Sequence, residues 1–300
     1  DVFRSVQNEG NNTKHEYFFH NLGQKLELFG KNNTPLKLAD TDALAFGNGD
    51  QSAYDYMWNK KSVFTVADFK GTFSLELKER TVNMNLWFQG QPDREVFSVL
   101  SPKSTAFRHG PLPEDLNNLP IPTLVVKQNG EAWKRPFVAI YEPAENGKSD
   151  IASVDYFGTD EQAGIHITAK SGREDFIFTN TQLTQFTNND LSVTGTYGVI
   201  SKDEKNTTLF LGNGTRISNG VYAITATQSG SLTVKQSAEG MFYQASVPAV
   251  LSIKAERKLK SATLTDTQGT VYKGRFDKKN NTILFDLPAM DYQQVNLKIQ

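Results

Sequence analysis

Arg80-Thr81-Val82-Asn83-Met84-Asn85-Leu86-Trp87-Phe88-Gln89 decides the fold class, because its residues change sides one by one. Val82, Met84, Leu86 and Phe88 fall on one face, and Asn83, Asn85, Trp87 and Gln89 on the other. That period of two belongs to a strand with one face in a core and the other toward water. Alternating runs recur at residues 25–29, 63–66, 72–77 and 95–100, then at 165–169, 191–200, 221–227, 241–247, 262–265 and 282–287. Turn-forming clusters separate them, among them Gly30-Lys31-Asn32-Asn33, Gln128-Asn129-Gly130, Gly212-Asn213-Gly214 and Asp277-Lys278-Lys279-Asn280-Asn281. No long amphipathic helical pattern interrupts the series. The expected fold is therefore all-β: a large antiparallel β-sandwich, supersandwich-like, over residues 1–229, followed by a smaller C-terminal β domain over 230–300. The boundary is set by Gln228-Ser229-Gly230-Ser231, after which the runs shorten and Lys and Arg cluster at 254–260. The proline-rich stretch 101–122 breaks the rhythm, with one helical turn expected at Pro113-Glu114-Asp115-Leu116; a loop of that length is functional or covers something.

Composition narrows the function. At 38% hydrophobic and 11% aromatic residues the chain has ample material for a core. A net charge of −1 gives no global field for DNA, RNA or an anionic membrane, so an acidic ligand has to be held by local cations. Zero cysteines exclude disulfides and thiolate metal sites. No apolar run approaches the roughly 18 residues of a membrane span. The chain opens on Asp1 directly in strand-like sequence, as a piece excised from a longer polypeptide would. No Gly-rich phosphate loop, G-x-S-x-G elbow or RNP-type aromatic pattern is present, which counts against nucleotide enzymes, hydrolases of that fold and RNA-binding modules.

Two segments carry chemistry. Gly130-Glu131-Ala132-Trp133-Lys134-Arg135-Pro136-Phe137-Val138-Ala139-Ile140-Tyr141-Glu142-Pro143 puts an indole, two cations and a carboxylate beside a short strand that Pro136 opens and Pro143 closes. Trp133 suits the apolar face of a sugar, and Arg135 suits its carboxylate or sulfate. The same alternation also fits a core face from which the guanidinium snorkels to the edge. The second segment holds His15, Tyr17 and His20, with His15 and Tyr17 on one face of a strand and His20 on the other. An imidazole and a phenol serve proton abstraction α to a carboxylate and protonation of a leaving glycosidic oxygen. The plainer alternative is that the two histidines tie strand ends together. Arg108, in the proline-rich loop, is a further candidate for contact with an anion, and Trp87, on the polar face of its strand, is a candidate sugar platform. No His spacing marks a metal site, so none is assigned.

The order of Asp1-Val2-Phe3-Arg4, His15-Glu16-Tyr17-Phe18-Phe19-His20 and Phe137-Val138-Ala139-Ile140-Tyr141-Glu142-Pro143 resembles the β-rich half of the heparinase II/III-like polysaccharide lyases, over about residues 1–225. The resemblance implies a β-sandwich that forms one wall of a cleft for acidic, uronate-containing and possibly sulfated glycans, glycosaminoglycans among them, cleaved by β-elimination. It implies a helical toroid as partner domain, on the same parent protein or another chain, and a periplasmic or secreted setting. It casts His15 and Tyr17 as catalytic and Arg108, Trp133 and Arg135 as substrate-binding. Family members carry a structural metal, but the H-x-H-x-D strand that supplies its ligands lies before the D-x-F-R strand and is not in this chain, so the cofactor stays open. The other reading is a non-catalytic carbohydrate-binding or structural β-sandwich module.

Overall fold

The computed structural model describes residues 1–5, 14–44, 53–103, 114–159, 161–255 and 261–299. The chain is all-β, and its strands pair antiparallel throughout. Among the described residues the α-helix is a single turn, Glu114–Asn117, where the proline-rich stretch was expected to hold one. The chain divides into two compact units, Asp1–Asp150 and Ile151–Gln300.

The first unit holds β1 (Val2–Phe3), β2 (Lys14–His20), β3 (Lys25–Gly30), β4 (Ala39–Asp40) and β5 (Trp58–Phe64). It continues with β6 (Phe69–Glu76), β7 (Thr81–Phe88), β8 (Arg94–Ser101), β9 (Ile121–Asn129) and β10 (Phe137–Glu145). They form two five-stranded sheets, ordered β1-β10-β7-β6-β3 and β2-β9-β8-β5-β4. Phe73, Leu86, Phe88 and Phe137 of the first sheet and Val96, Leu124 and Val126 of the second share one core in which each is fully buried. This is the sandwich that the alternation in β7 anticipates: Leu86 and Phe88 enter the core, and Met84 packs against it. β9 is buried almost without a break because both of its faces are covered. Its Leu124 and Val126 face the sandwich core, while Val125 faces a second cluster with Phe97, Val99, Leu44 and Met57.

Pro143 does not close β10, which runs on to Glu145. β1 pairs with Phe137 and Val138, and Asp1 bonds to Ala139; beyond Ala139 no strand among the described residues pairs with that edge of β10, so a residue without an N–H breaks no ladder there.

The second unit is one connected network of β11 (Ile151–Phe157), β12 (Gln162–Ala169), β13 (Glu174–Asn180), β14 (Gln185–Asn188), β15 (Leu191–Lys202), β16 (Thr207–Ser218) and β17 (Tyr222–Ser237), continued by β18 (Gly240–Ala245), β19 (Ala249–Lys254), β20 (Ala262–Thr265), β21 (Val271–Lys273), β22 (Arg275–Asp277), β23 (Thr282–Leu287) and β24 (Met290–Ile299). β17 pairs with β19 along its first half and with β18 along its second, so the network parts into two arms. Leu251 and Phe285 from one arm and Tyr243 and Leu264 from the other meet in a single core. The expected boundary after residue 229 falls inside β17, and core residues on both sides of it, Ile224 and Leu232 among them, belong to that one cluster. Gly230 is there for close approach: a Cβ at this position would lie 2.7 Å from Ser246 Oγ and from Val247 Cγ2.

Candidate functional site

Alternation along β2 turns Tyr17 and Phe19 into the sandwich core, and His15 shares their face, as expected from the sequence. His15 is half-buried and pairs in register with Gln128 of β9. Tyr17 is 9% exposed, edge-on to Phe88 at 5.2 Å and stacked on Phe137 at 5.8 Å. Its hydroxyl donates to Asp1 Oδ2 at 2.9 Å and is also hydrogen-bonded to the hydroxyl of Tyr141. A phenol has one proton to give, so with Tyr17 donating to Asp1 it is Tyr141 that donates to Tyr17. The result is a directed chain: Tyr141 to Tyr17 to the Asp1 carboxylate. Burial, and then the bond to Tyr141, push the Tyr17 phenol far above the usual tyrosine range, so it stays protonated at any physiological pH. Tyr141 is the open end of this chain, 36% exposed with its ring 5.0 Å from that of Phe19.

His20 lies on the other face of β2. Its Nδ1 is 2.8 Å from Thr123 Oγ1, which in turn meets Ser101 Oγ at 2.7 Å, and desolvation holds the imidazole below its ordinary pKa. His166 is likewise engaged, with Glu174 Oε1 at 3.0 Å and its ring stacked on Phe176 at 4.1 Å.

Trp133 and Arg135 lie in a bend that precedes β10, not on the strand itself. Gly130 opens the bend at φ +91°, where a side chain would be strained. The Glu131 carboxylate then organises it, accepting from the backbone N–H of Trp133 at 3.0 Å and of Lys134 at 2.9 Å and from Arg135 Nε at 2.9 Å. Burial works to raise the pKa of Glu131, but the Lys134 N–H and the Arg135 guanidinium outweigh it and hold the carboxyl below its usual range. Arg135 also donates to the carbonyls of Pro92 and Asn129, each at 3.1 Å, and pairs with Asp93 at 3.5 Å. Its fork is thus filled by protein oxygens. Trp133 is half-buried, and its carbonyl accepts from Arg4 at 2.6 Å. Arg108 lies outside the described residues.

Sequence reasoning missed Arg94, which ties this bend to the sheets. It is 1% exposed, donates to Gln128 Oε1 and to the Gln89 and Pro136 carbonyls at 2.7 Å each, and sits 4.6 Å from the centre of the Phe137 ring. Burial, with Arg135 close by, pushes the guanidinium down to about 9 against the opposing pull of Glu131, which leaves it charged at neutral pH. Gln128 carries the link onward, donating to the carbonyls of Glu131 and Arg135. Because Gln128 is the register partner of His15, the structure brings His15 and the 131–135 bend to the same end of the second sheet. The signal for Arg94 was its parity with inward-facing Val96, two residues on.

On the outer face of the first sheet, Glu142 is 7% exposed and accepts from Asn85 Nδ2 at 3.1 Å, Trp87 Nε1 at 3.3 Å and Ser149 Oγ at 2.8 Å. Asn83 and Asn85 are buried with it, although they are on the side that the alternation gives to water. Lys70 Nζ stands 5.1 Å from the centre of the Trp87 ring, a cation on that ring's face.

Among the described residues no group of three or more His, Asp or Glu could hold a metal ion, and no helix is long and apolar enough to cross a membrane.

Residues 151–236 match the family model described as the endo-acting ulvan lyase C-terminal domain. An endo-acting ulvan lyase of Formosa agariphila is 24% identical over 237 residues, covering 75% of this chain and 28% of that protein. The chain therefore spans well under a third of the length of the curated relative it matches. Since each unit holds 150 residues, the alignment takes in parts of both. By both comparisons, then, the chain is similar to polysaccharide lyases.

Proposed function

We propose that the chain is the β-sandwich portion of a polysaccharide lyase that cleaves acidic, uronate-containing glycans by β-elimination. The observation that carries this is the similarity to an endo-acting ulvan lyase across parts of both units. In such a reaction a base removes the proton α to the uronate carboxylate, the bond to the leaving glycosidic oxygen breaks, a carbon–carbon double bond forms, and an acid protonates that oxygen. The first unit supplies candidates for the proton steps. Tyr141 is 36% exposed, and because its own proton is directed at Tyr17 its hydroxyl oxygen is left to accept the proton α to the carboxylate, the displaced proton passing to Tyr17 and on toward Asp1; His15 stands on the same face of β2 as Tyr17. Tyr17, buried and protonated, acts through Tyr141 as a positioning residue.

A heparinase II/III-like ancestry gives the sandwich the role of one cleft wall, with a helical domain opposite and a secreted or periplasmic setting, and with sulfated glycans within its range. An anionic glycan would then meet Trp133, Arg135 and Arg108. For Arg135 the substrate anion has to share a guanidinium already held by Glu131 and Asp93, so Arg135→Lys is expected to lower the melting temperature as well as glycan affinity. The second reading, a non-catalytic module, is favoured by the way His20 and His166 are occupied within the fold.

The test is to incubate ulvan, alginate, chondroitin sulfate and a neutral glucan with the natural polypeptide that carries these residues, and to follow ultraviolet absorbance of unsaturated uronate. Absorbance should rise with at least one of the acidic polymers and not with the glucan. The isolated 300 residues should give little or none. Failure of the natural polypeptide on every acidic polymer would refute the lyase reading.

A further inference from the structure

We infer that the second unit carries its own glycan-binding platform, on the outward face of β15, β16, β17, β18 and β24. It takes from the proposed function only the class of ligand, an acidic polysaccharide. Leu209, Leu211, Leu232, Val234, Met241 and Tyr243 turn into the core, so the residues that alternate with them face outward. Phe210, Thr233 and Gln244 stand in register across three strands, and Lys235 pairs with Phe242 beside them.

Two aromatic groups lie on this face. Tyr197 of β15 packs over Gly212 of β16, where a Cβ would come within 3.0 Å of its Cδ1, and meets Phe210 edge-on at 6.0 Å. A ring laid over a glycine covers the backbone with one face and offers the other to water, and Tyr197 is 42% exposed. At the other end Tyr292 of β24 is 51% exposed and stacks on Phe242 at 5.6 Å, with planes 8° apart. Lys235 Nζ lies 5.6 Å from the centre of the Phe242 ring. A single exposed aromatic is ordinary, but two groups on one face with the amide of Gln244 and the ammonium of Lys235 between them make a surface for a ligand that is apolar on its faces and polar at its rim. A sugar ring has that character, since its C–H faces pack on aromatic rings and its hydroxyls bond to amides such as Gln244. From β15 to β24 is four strand steps, roughly 19 Å at the usual spacing, which accommodates several linked rings. Lys235 gives this face a cation beside the Phe242–Tyr292 stack, which fits an anionic glycan.

The test is calorimetric titration of the 300-residue chain with ulvan, and with a neutral glucan as control, for the wild type and for Tyr197→Ala, Tyr292→Ala and Lys235→Gln. Each tyrosine variant should weaken ulvan binding about tenfold, the order expected for loss of one stacking contact. Lys235→Gln should flatten the salt dependence of binding, and the melting temperature should hold in all three because the replaced groups are exposed or half-exposed. All three tryptophans, Trp58, Trp87 and Trp133, lie in the first unit, so binding on the platform should leave tryptophan emission unshifted. The platform is overturned if the wild type binds no ulvan, or if both tyrosine variants bind it as the wild type does. A shift in tryptophan emission with unaltered affinity in the variants would place the ligand in the first unit instead. Equal affinity for the neutral glucan would overturn the anionic assignment. None of these outcomes depends on cleavage, so failure here is distinct from failure of the lyase reading.

Discussion

A guanidinium with 1% of its surface exposed needs every donor occupied, and Arg94 meets that need with the Gln128 side chain, backbone carbonyls and the face of Phe137. Replacing it by Met removes the donors and leaves buried acceptors on Gln89 and Pro136 without partners. Arg94→Met is therefore expected to cost about 3 kcal/mol or more in urea denaturation, and Arg94→Lys to recover little of it, because an ammonium cannot reproduce the planar fork. A loss below about 1 kcal/mol would contradict the role assigned to it. Tyr243 is the opposite case: fully buried, with no hydrogen-bond partner for its hydroxyl among the described residues. Tyr243→Phe should leave stability unchanged or raise it by about 1 kcal/mol, measured the same way. The sequence showed neither feature. Arg94 reads as a charged residue at a strand start, and the pairing of Tyr141 with Tyr17 joins residues on two different sheets, which local pattern does not report. His15 and Tyr17 were legible as a pair because strand alternation alone puts them on one face.

At the scale of elements, strands with a core on one side and water on the other were readable, as in β3, β20 and β23. β9 was not, since burial on both faces removes the alternation. Gly212-Asn213-Gly214 and Gly230 were taken as punctuation, yet they lie inside β16 and β17. There the glycines admit a neighbouring backbone or ring, a use that sequence cannot tell from a turn. The bend at 131–135 lies beside β10 rather than in it, because the Glu131 carboxylate satisfies its backbone and no ladder is needed. Glu131→Gln should loosen this bend by removing the charge that holds Arg135. The loss should show as faster amide exchange at Trp133 and Lys134, and unchanged exchange would refute that role.

At the scale of the molecule, continuity of β17 through residue 229 makes a directional prediction. Residues 151–300 expressed alone should fold cooperatively, whereas 1–229 should not, because the cut removes half of one core. The pH dependence follows from the buried phenols. Tyr17, Tyr54, Tyr222 and Tyr243 all have folded pKa values raised by burial, so their contribution is complete below the unfolded tyrosine value of about 10 and is lost as pH rises beyond it. Stability should fall steeply above about pH 10, and less steeply in Tyr243→Phe; an unchanged alkaline slope in that variant would contradict the account.

The proton chemistry proposed for the first unit comes down to one hydroxyl, that of Tyr141. Tyr141→Phe keeps the ring against Phe19 and removes only the hydroxyl that heads the chain to Tyr17 and Asp1. In the natural polypeptide acting on ulvan, the rate of unsaturated uronate formation should fall by about 10²–10⁴-fold, with glycan affinity and melting temperature retained. An unchanged rate in a folded Tyr141→Phe protein would contradict it.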